Sequence, residues 1–224
     1  MRIKTILQAV IFDLDGTLID SAPSILSSFE SMLKRVGIQP LVPLNKTLIG
    51  PPLRQTLVNL TGISDVSGLN TLVEYFKESY DSVGYKATRV YDGVQELLVA
   101  LSDKQVPMAI ATNKRIVPTL KIINLLGWEH YFKVVGALDS QFPPYSNKAA
   151  LISYLLDEMA VDAAASVYVG DKWEDGEAAE ANGVRFFAGA WGYGTWDSGT
   201  IATGWHLIGS PSHLAEKLTA GASL

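Results

Sequence analysis

Asp13 and Asp15 close the run AVIFDLD at residues 9–15, where Val10, Ile11 and Phe12 lead straight into acid. Two carboxylates at the end of a buried strand repel each other and lose hydration, so they need a cation or a ligand to offset them. Other apolar runs finish in a similar way. PMAIAT (107–112) ends in Thr112 and is followed by Asn113; ASVYVGD (165–171) ends in Gly170 and Asp171; Asp175 follows one helical turn on, and Lys148 opens a helical pattern. Each has a plain structural role when taken alone, as a helix cap, a turn residue or a solvated surface group. Together they form a donor set. Oxygens from Asp13, Asp15, Asp171 and Asp175 suit a hard cation, Mg²⁺ above all, which keeps waters and bridges to phosphate. The Thr112 hydroxyl, the amides around Asn113 and the Lys148 ammonium suit phosphate oxygens. The acids outnumber the bases, so a phosphate dianion needs both the metal and Lys148.

The elements that must position these groups follow from the hydrophobic pattern. Continuous apolar runs at 9–15, 107–112, 133–138 and 165–171 read as strands covered on both faces. Between them, DGVQELLVALSDK and SNKAALISYLLDEMA carry apolar residues at helical spacing. From about residue 88 onward the alternation predicts a doubly wound, mainly parallel α/β sheet, a fold that binds ligands beyond the carboxyl ends of its strands. Residues 20–87 break that rhythm. SAPSILSSFESMLKRVG, PLRQTLVNLTG and LNTLVEYFKESYDSVGY read as amphipathic helices, the first stopped by Gly37. The expected organisation is a core of residues 1–19 and 88–224 with a helical insert at 20–87.

Composition narrows the function classes. The 224 residues are 48 % hydrophobic and 18 % charged, as in folded globular proteins. A net charge of -5 argues against nucleic acid or an anionic membrane as the main partner. The absence of cysteine excludes disulfides and thiolate zinc sites. The N-terminal apolar run is too short for a span and ends in acids, so the expectation is a cytoplasmic protein, monomeric or homodimeric, acting on a small molecule.

DLDGT at 13–17, ATNK at 111–114, Lys148 and GDKWED at 170–175 resemble, in that order, the four signature motifs of the haloacid dehalogenase superfamily. The insert after DLDGT resembles the cap of its phosphoglycolate phosphatase-like branch, as do LIGPPLRQTL (48–57) and WGYG (191–194). The resemblance implies a Mg²⁺-dependent phosphatase acting on a small phosphorylated metabolite, phosphoglycolate-like or a sugar phosphate. Asp13 would be the nucleophile that forms an aspartyl-phosphate. Asp15 would be the acid for the leaving alcohol and the base for water, protonated near neutral pH by burial and a like-charged neighbour, with its main-chain carbonyl towards the metal. Thr112, Asn113 and Lys148 would hold the phosphoryl oxygens, and Asp13, Asp171 and Asp175 the metal. An acid at position 15 favours phosphate chemistry over dehalogenation. Lys148 lacks the proline that follows the lysine in many relatives. Lys114 is a secondary phosphate contact, whereas Lys133 opens its strand and lies at the wrong end of the sheet. In the cap, Gly50 and Arg54 are the residues expected to meet the non-reacting end of the substrate.

Two alternatives share these residues: a phosphosugar mutase of the β-phosphoglucomutase type, and a phospho-accepting signalling domain, which would be shorter and lack the insert. Other signals fail. DKWEDG has Trp173 where a calcium loop needs oxygen, and no nucleotide loop or nucleophile elbow is present. His130, His206 and His213 are expected away from the strand-end rim, and Trp191, Trp196 and Trp205 in packing.

Overall fold

The computed structural model describes residues 6–196 and 201–219. Six parallel strands form the main sheet: β1 (Ala9–Phe12), β4 (Met108–Thr112), β5 (Phe132–Ala137), β6 (Ser166–Gly170), β7 (Arg185–Gly189) and β8 (His206–Ile208), in the order β5-β4-β1-β6-β7-β8. The chain leaves β1 for β4 and β5 on one side and returns to β6, β7 and β8 on the other. The strand order therefore reverses beside β1, which puts a crevice at its carboxyl end.

Every residue of β1 has 0 % exposure because both sheet faces are covered. Val10 and Phe12 join the cluster built with helices α4 (Val94–Asp103), α5 (Ile116–Leu126) and α8 (Pro211–Thr219). Ala9 and Ile11 join the opposite cluster, built with α6 (Lys148–Met159) and α7 (Trp173–Glu180). Alternation at a period of two thus runs through a strand that reads as uniformly apolar.

The helical insert comprises α1 (Ala22–Val36), α2 (Leu53–Thr61) and α3 (Val66–Tyr80), with a short 3₁₀ turn at Lys46–Leu48. Phe29, Met32, Leu57, Leu60, Leu72 and Phe76 give it a cluster of its own. Gly37 ends α1 in the left-handed region, at φ 68°, with its N–H on the carbonyls of Leu33 and Lys34. The two chain crossings between insert and sheet pair as an antiparallel ribbon, β2 (Ile19–Asp20) with β3 (Arg89–Val90).

Three features differ from the sequence reading. The first strand stops at Phe12, so Asp13 and Asp15 lie in the turn beyond it. β7 and β8 extend the sheet past the four strands that continuous apolar runs identify, and each is short or interrupted by polar residues. The β2–β3 ribbon was not visible because two-residue strands carry no periodicity. Among the described residues, no helix is long and apolar enough to cross a membrane.

Candidate active site

The turn after β1 brings its two acids to different surroundings. Asp13 donates its N–H to the Val169 carbonyl of β6, continuing the sheet ladder by one residue. Gly16, at φ 91°, then lets the chain double back, with its N–H on the Ile19 carbonyl. A side chain at Gly16 would collide with Asp171: an added Cβ would lie 2.3 Å from Oδ2. Gly192 approaches the same aspartate from the other direction, where a Cβ would lie 2.4 Å from the Asp171 Cβ. Asp171 is therefore clasped between two glycine backbones and has 0 % exposure.

Asp13, Asp171 and Asp175 converge, each offering a carboxylate oxygen within 4.8 Å of the others. Their remaining contacts show which oxygens are committed. Asp175 accepts on Oδ2 from the N–H groups of Asp171 (3.1 Å) and Lys172 (3.0 Å), and on Oδ1 from Lys148 Nζ and, more weakly, Tyr168 Oη (3.4 Å). Asp171 accepts on Oδ2 from Tyr193 N (2.6 Å) and Gly194 N (3.3 Å). Its Oδ1 is buried and has no partner among the described residues. Asp13 accepts on Oδ1 from Lys148 Nζ at 2.9 Å. A buried carboxylate oxygen left unpaired beside two other acids is costly, and a divalent cation is the partner that satisfies it. The donor set, carboxylate oxygens only, fits Mg²⁺.

Burial and mutual repulsion show in the protonation of this cluster. Burial pushes Asp13 up to about 8; the Lys148 ammonium opposes the rise, and Asp175 and Asp171 add to it. Asp171 is pushed up to about 7, first by burial and then by Asp175. Burial alone would lower Lys148, yet Asp13 and Asp175 outweigh it and hold the ammonium well above its ordinary value. The lysine is thus a fixed cation between two acids.

Asp15 faces elsewhere. Lys114 Nζ lies 3.0 Å from both of its carboxylate oxygens, and Ser21 Oγ donates to Oδ1. The like-charged neighbour expected beside Asp15 is therefore replaced by an ammonium and a hydroxyl. Lys114 in turn lies against the ring face of Tyr80, 4.6 Å from its centroid, at the end of α3. Burial pulls Lys114 down, but Asp15 and Tyr80 reverse this and raise it. Lys114, anticipated as a secondary phosphate contact, forms a buried pair with Asp15.

The other expected residues fall as follows. Thr112 is buried at the end of β4, its Oγ1 accepting from Lys114 N at 3.1 Å. Asn113 lines the crevice, but its Nδ2 donates to the Gly50 carbonyl at 2.8 Å, joining sheet to insert. Gly50 adopts φ 123° where a Cβ would meet the Lys172 side chain at 3.3 Å. Arg54 departs from expectation: it is exposed, donates to Asn70 Oδ1 on α3, and borders neither cavity at the rim. His130, His206 and His213 are exposed and border neither cavity. Trp205 packs on Gly176 and Phe186, and Trp191 donates to the Thr17 carbonyl at 2.9 Å.

Sequence reasoning missed three contributors, Ser21, Tyr193 and Arg115, and the partner of a fourth, Lys114. Ser21 and Lys114 contact Asp15; Tyr193 joins the Asp171 clasp to the insert, its hydroxyl accepting from the N–H groups of Ser21 (2.7 Å) and Ala22 (3.0 Å) and donating to Asp20 Oδ1. Arg115 makes a two-point ion pair with Asp81 of the insert. Tyr193 and Lys114 lay in motif stretches already singled out, WGYG and ATNK, and Ser21 opened the first helical pattern of the insert.

Residues 10–189 match the family described as haloacid dehalogenase-like hydrolase. The chain belongs to that family. Three curated relatives are the tyrosine-protein kinase PtkA of Mycobacterium tuberculosis, 32 % identical over 85 % of this chain, a 5'-nucleotidase of Pseudomonas aeruginosa, 31 % over 84 %, and a phosphoglycolate phosphatase of Xanthomonas campestris pv. campestris, 30 % over 93 %. The alignments take in 64 %, 85 % and 95 % of those proteins, so the chain spans just under two thirds of the kinase's length. Among solved structures, a predicted phosphatase from Clostridium acetobutylicum superposes with a TM-score of 0.84 at 26 % identity, covering 96 % of this chain and 99 % of its own. As a haloacid dehalogenase-like hydrolase, the chain has its family's fold around the acid cluster.

Proposed function

We propose that this protein is a Mg²⁺-dependent phosphatase that hydrolyses a small phosphomonoester through an aspartyl-phosphate on Asp13. One observation carries the reading. Asp13 and Asp15 emerge from one turn yet are held by separate lysines, Asp13 within the metal-binding cluster and Asp15 outside it. Two carboxylates in different environments can take different roles.

Asp171 and Asp13 would hold the cation directly; Asp175, whose oxygens are both engaged, would orient Lys148 and the loop beneath. The main-chain carbonyl of Asp15 is a further oxygen for that set. Bound Mg²⁺ neutralises the acids and polarises the phosphoryl oxygens. Lys148 and the Thr112–Asn113 turn receive the remaining phosphoryl charge.

Asp13 forms a bond to phosphorus as the bond to the ester oxygen breaks, and Asp15 gives its proton to the departing alcohol. A proton from solvent reaches Asp15 before the ester bond breaks, while Lys114 and Ser21 hold its carboxyl in place. Water then attacks phosphorus, Asp15 recovers a proton from it, and inorganic phosphate leaves with the Asp13 carboxylate restored. The insert closes over the crevice and excludes bulk water, its contacts to the sheet running through Asn113–Gly50 and Arg115–Asp81.

Phosphate release from a panel of phosphomonoesters, with and without Mg²⁺, tests the reading. Release that requires Mg²⁺ and vanishes in Asp13→Asn supports it; equal release by the variant overturns it. Stoichiometric transfer between positions of a sugar phosphate without phosphate release would favour the mutase alternative.

A further inference from the structure

The rim opens on two cavities with different chemistry. The larger, of about 480 Å³, borders Asp13 but not Asp15 and is lined by Lys148, Lys172, Glu174 and Glu177. The smaller, of about 60 Å³, borders both Asp13 and Asp15. An alcohol that receives a proton from Asp15 must leave on that second side.

The insert walls the smaller cavity with Ile25, Phe29, Leu53 and Phe76. Its two cationic side chains are already committed: Lys114 to Asp15, and Arg115 to Asp81. Arg54, the residue best suited by type to a second anionic group, lies outside it on Asn70. A carboxylate or phosphate on the leaving group would meet the apolar side chains of the insert and the neutral polar groups of Thr56, Thr112 and Asn113, with no uncommitted cation among the described residues that line the cavity. That desolvation goes uncompensated. Size adds a second limit. An enclosed cavity of about 150 Å³ takes benzene, so with the insert in this position a compact group fits the space of about 60 Å³ best.

Resting on the phosphomonoesterase reading above, we propose that the substrate is the phosphate ester of a compact, uncharged, apolar alcohol, such as a short branched alkyl phosphate. Phosphoglycolate and other doubly anionic esters are disfavoured by the walls that exclude water.

The test compares kcat/KM for isobutyl phosphate, phosphoglycolate and glycerol 3-phosphate with Mg²⁺ present. All three release alkyl alcohols, which limits differences in bond reactivity. Isobutyl phosphate is expected to lead the two polar esters by about tenfold or more, the range typical of one or two apolar groups in a matched pocket. Leu53→Lys, which adds a cation at the half-buried start of α2, should lower isobutyl phosphate turnover and raise that of phosphoglycolate. A wild-type preference for either polar ester overturns the proposal and assigns the leaving group to the larger cavity beside Lys172. An isobutyl-to-phosphoglycolate ratio unmoved by Leu53→Lys also overturns it. If none of the three esters, nor p-nitrophenyl phosphate, releases phosphate, the phosphomonoesterase reading fails and the inference falls with it.

Discussion

Two buried lysine–aspartate pairs flank the end of β1, and they belong to different halves of the molecule. Lys148 reaches Asp13 and Asp175 from α6, entirely within the sheet and its helices. Lys114 reaches Asp15 beneath Tyr80 of the insert, while Ser21, at the start of α1, bonds the same carboxylate. The first pair is assembled by the sheet alone; the second is completed by the insert. On the proposed reading, the nucleophile and metal ligands are assembled by the sheet, whereas the surroundings of the acid–base carboxylate depend on how the insert is seated.

Substitutions can break this contrast, beginning with the strongest. Asp13→Asn should reduce phosphate release by a factor on the order of 10⁴ or more for every substrate, with an unchanged circular dichroism spectrum, because the variant has no nucleophile. Lys148→Met should leave Asp13 and Asp175 buried without their cation. We expect a loss of about 3–5 kcal/mol in urea unfolding, and poor activity on all esters. Lys114→Met should act selectively. Turnover of alkyl phosphates should fall by about 10²-fold, while p-nitrophenyl phosphate, whose leaving group needs no proton, loses far less. Equal losses on both ester types would show that the two pairs do not divide the labour.

Acidity sharpens the same comparison at smaller magnitude. Asp13 and Asp171 have folded-state values of about 8 and about 7, raised from the ordinary 3.8 chiefly by burial. Between 3.8 and those values the folded protein binds more protons than the unfolded chain, so stability without metal should decrease as pH rises through the window. Thermal melts from pH 5 to pH 8 should show that decline, and added Mg²⁺ should raise Tm more at pH 8 than at pH 5, where protons compete for the acids. A flat profile without metal would contradict the burial and mutual repulsion of these acids.

The smallest effect is expected at Tyr193. Its hydroxyl accepts from two N–H groups at the start of α1, where the Ser21 side chain is diverted to Asp15. Tyr193→Phe should cost about 1–2 kcal/mol and raise KM more than it lowers kcat, since it loosens the insert without touching the acid cluster.

How much of this was readable from sequence follows the same division. Asp13, Asp171 and Lys148 could be read because each ends or begins an element whose apolar pattern is strong, and the parallel topology carries all three to one rim. The family resemblance then supplied their chemistry. Lys114 was visible as a residue but its partner was not, because the pair spans 99 positions and rests on how the insert seats against the sheet. Arg54 lies apart from its expected place for a related reason. Residue type suggested an anion site, whereas its position on α2 directs it to Asn70. The β2–β3 ribbon and the edge strand β8 carry too few residues for a periodic signal, and β7 opens on Arg185, which breaks its apolar run. Local pattern therefore revealed what the sheet builds, and contacts between sheet and insert had to be seen.

The central claim, that Asp13 becomes phosphorylated during turnover, is tested most directly by acid-quenching the Mg²⁺-loaded protein with saturating substrate and mapping phosphate by peptide mass spectrometry. A phosphoryl group on Asp13, removed by hydroxylamine and absent from Asp13→Asn, is the predicted result. Full turnover with no covalent phosphate on Asp13 at any quench time, or with the label on another residue, would contradict it.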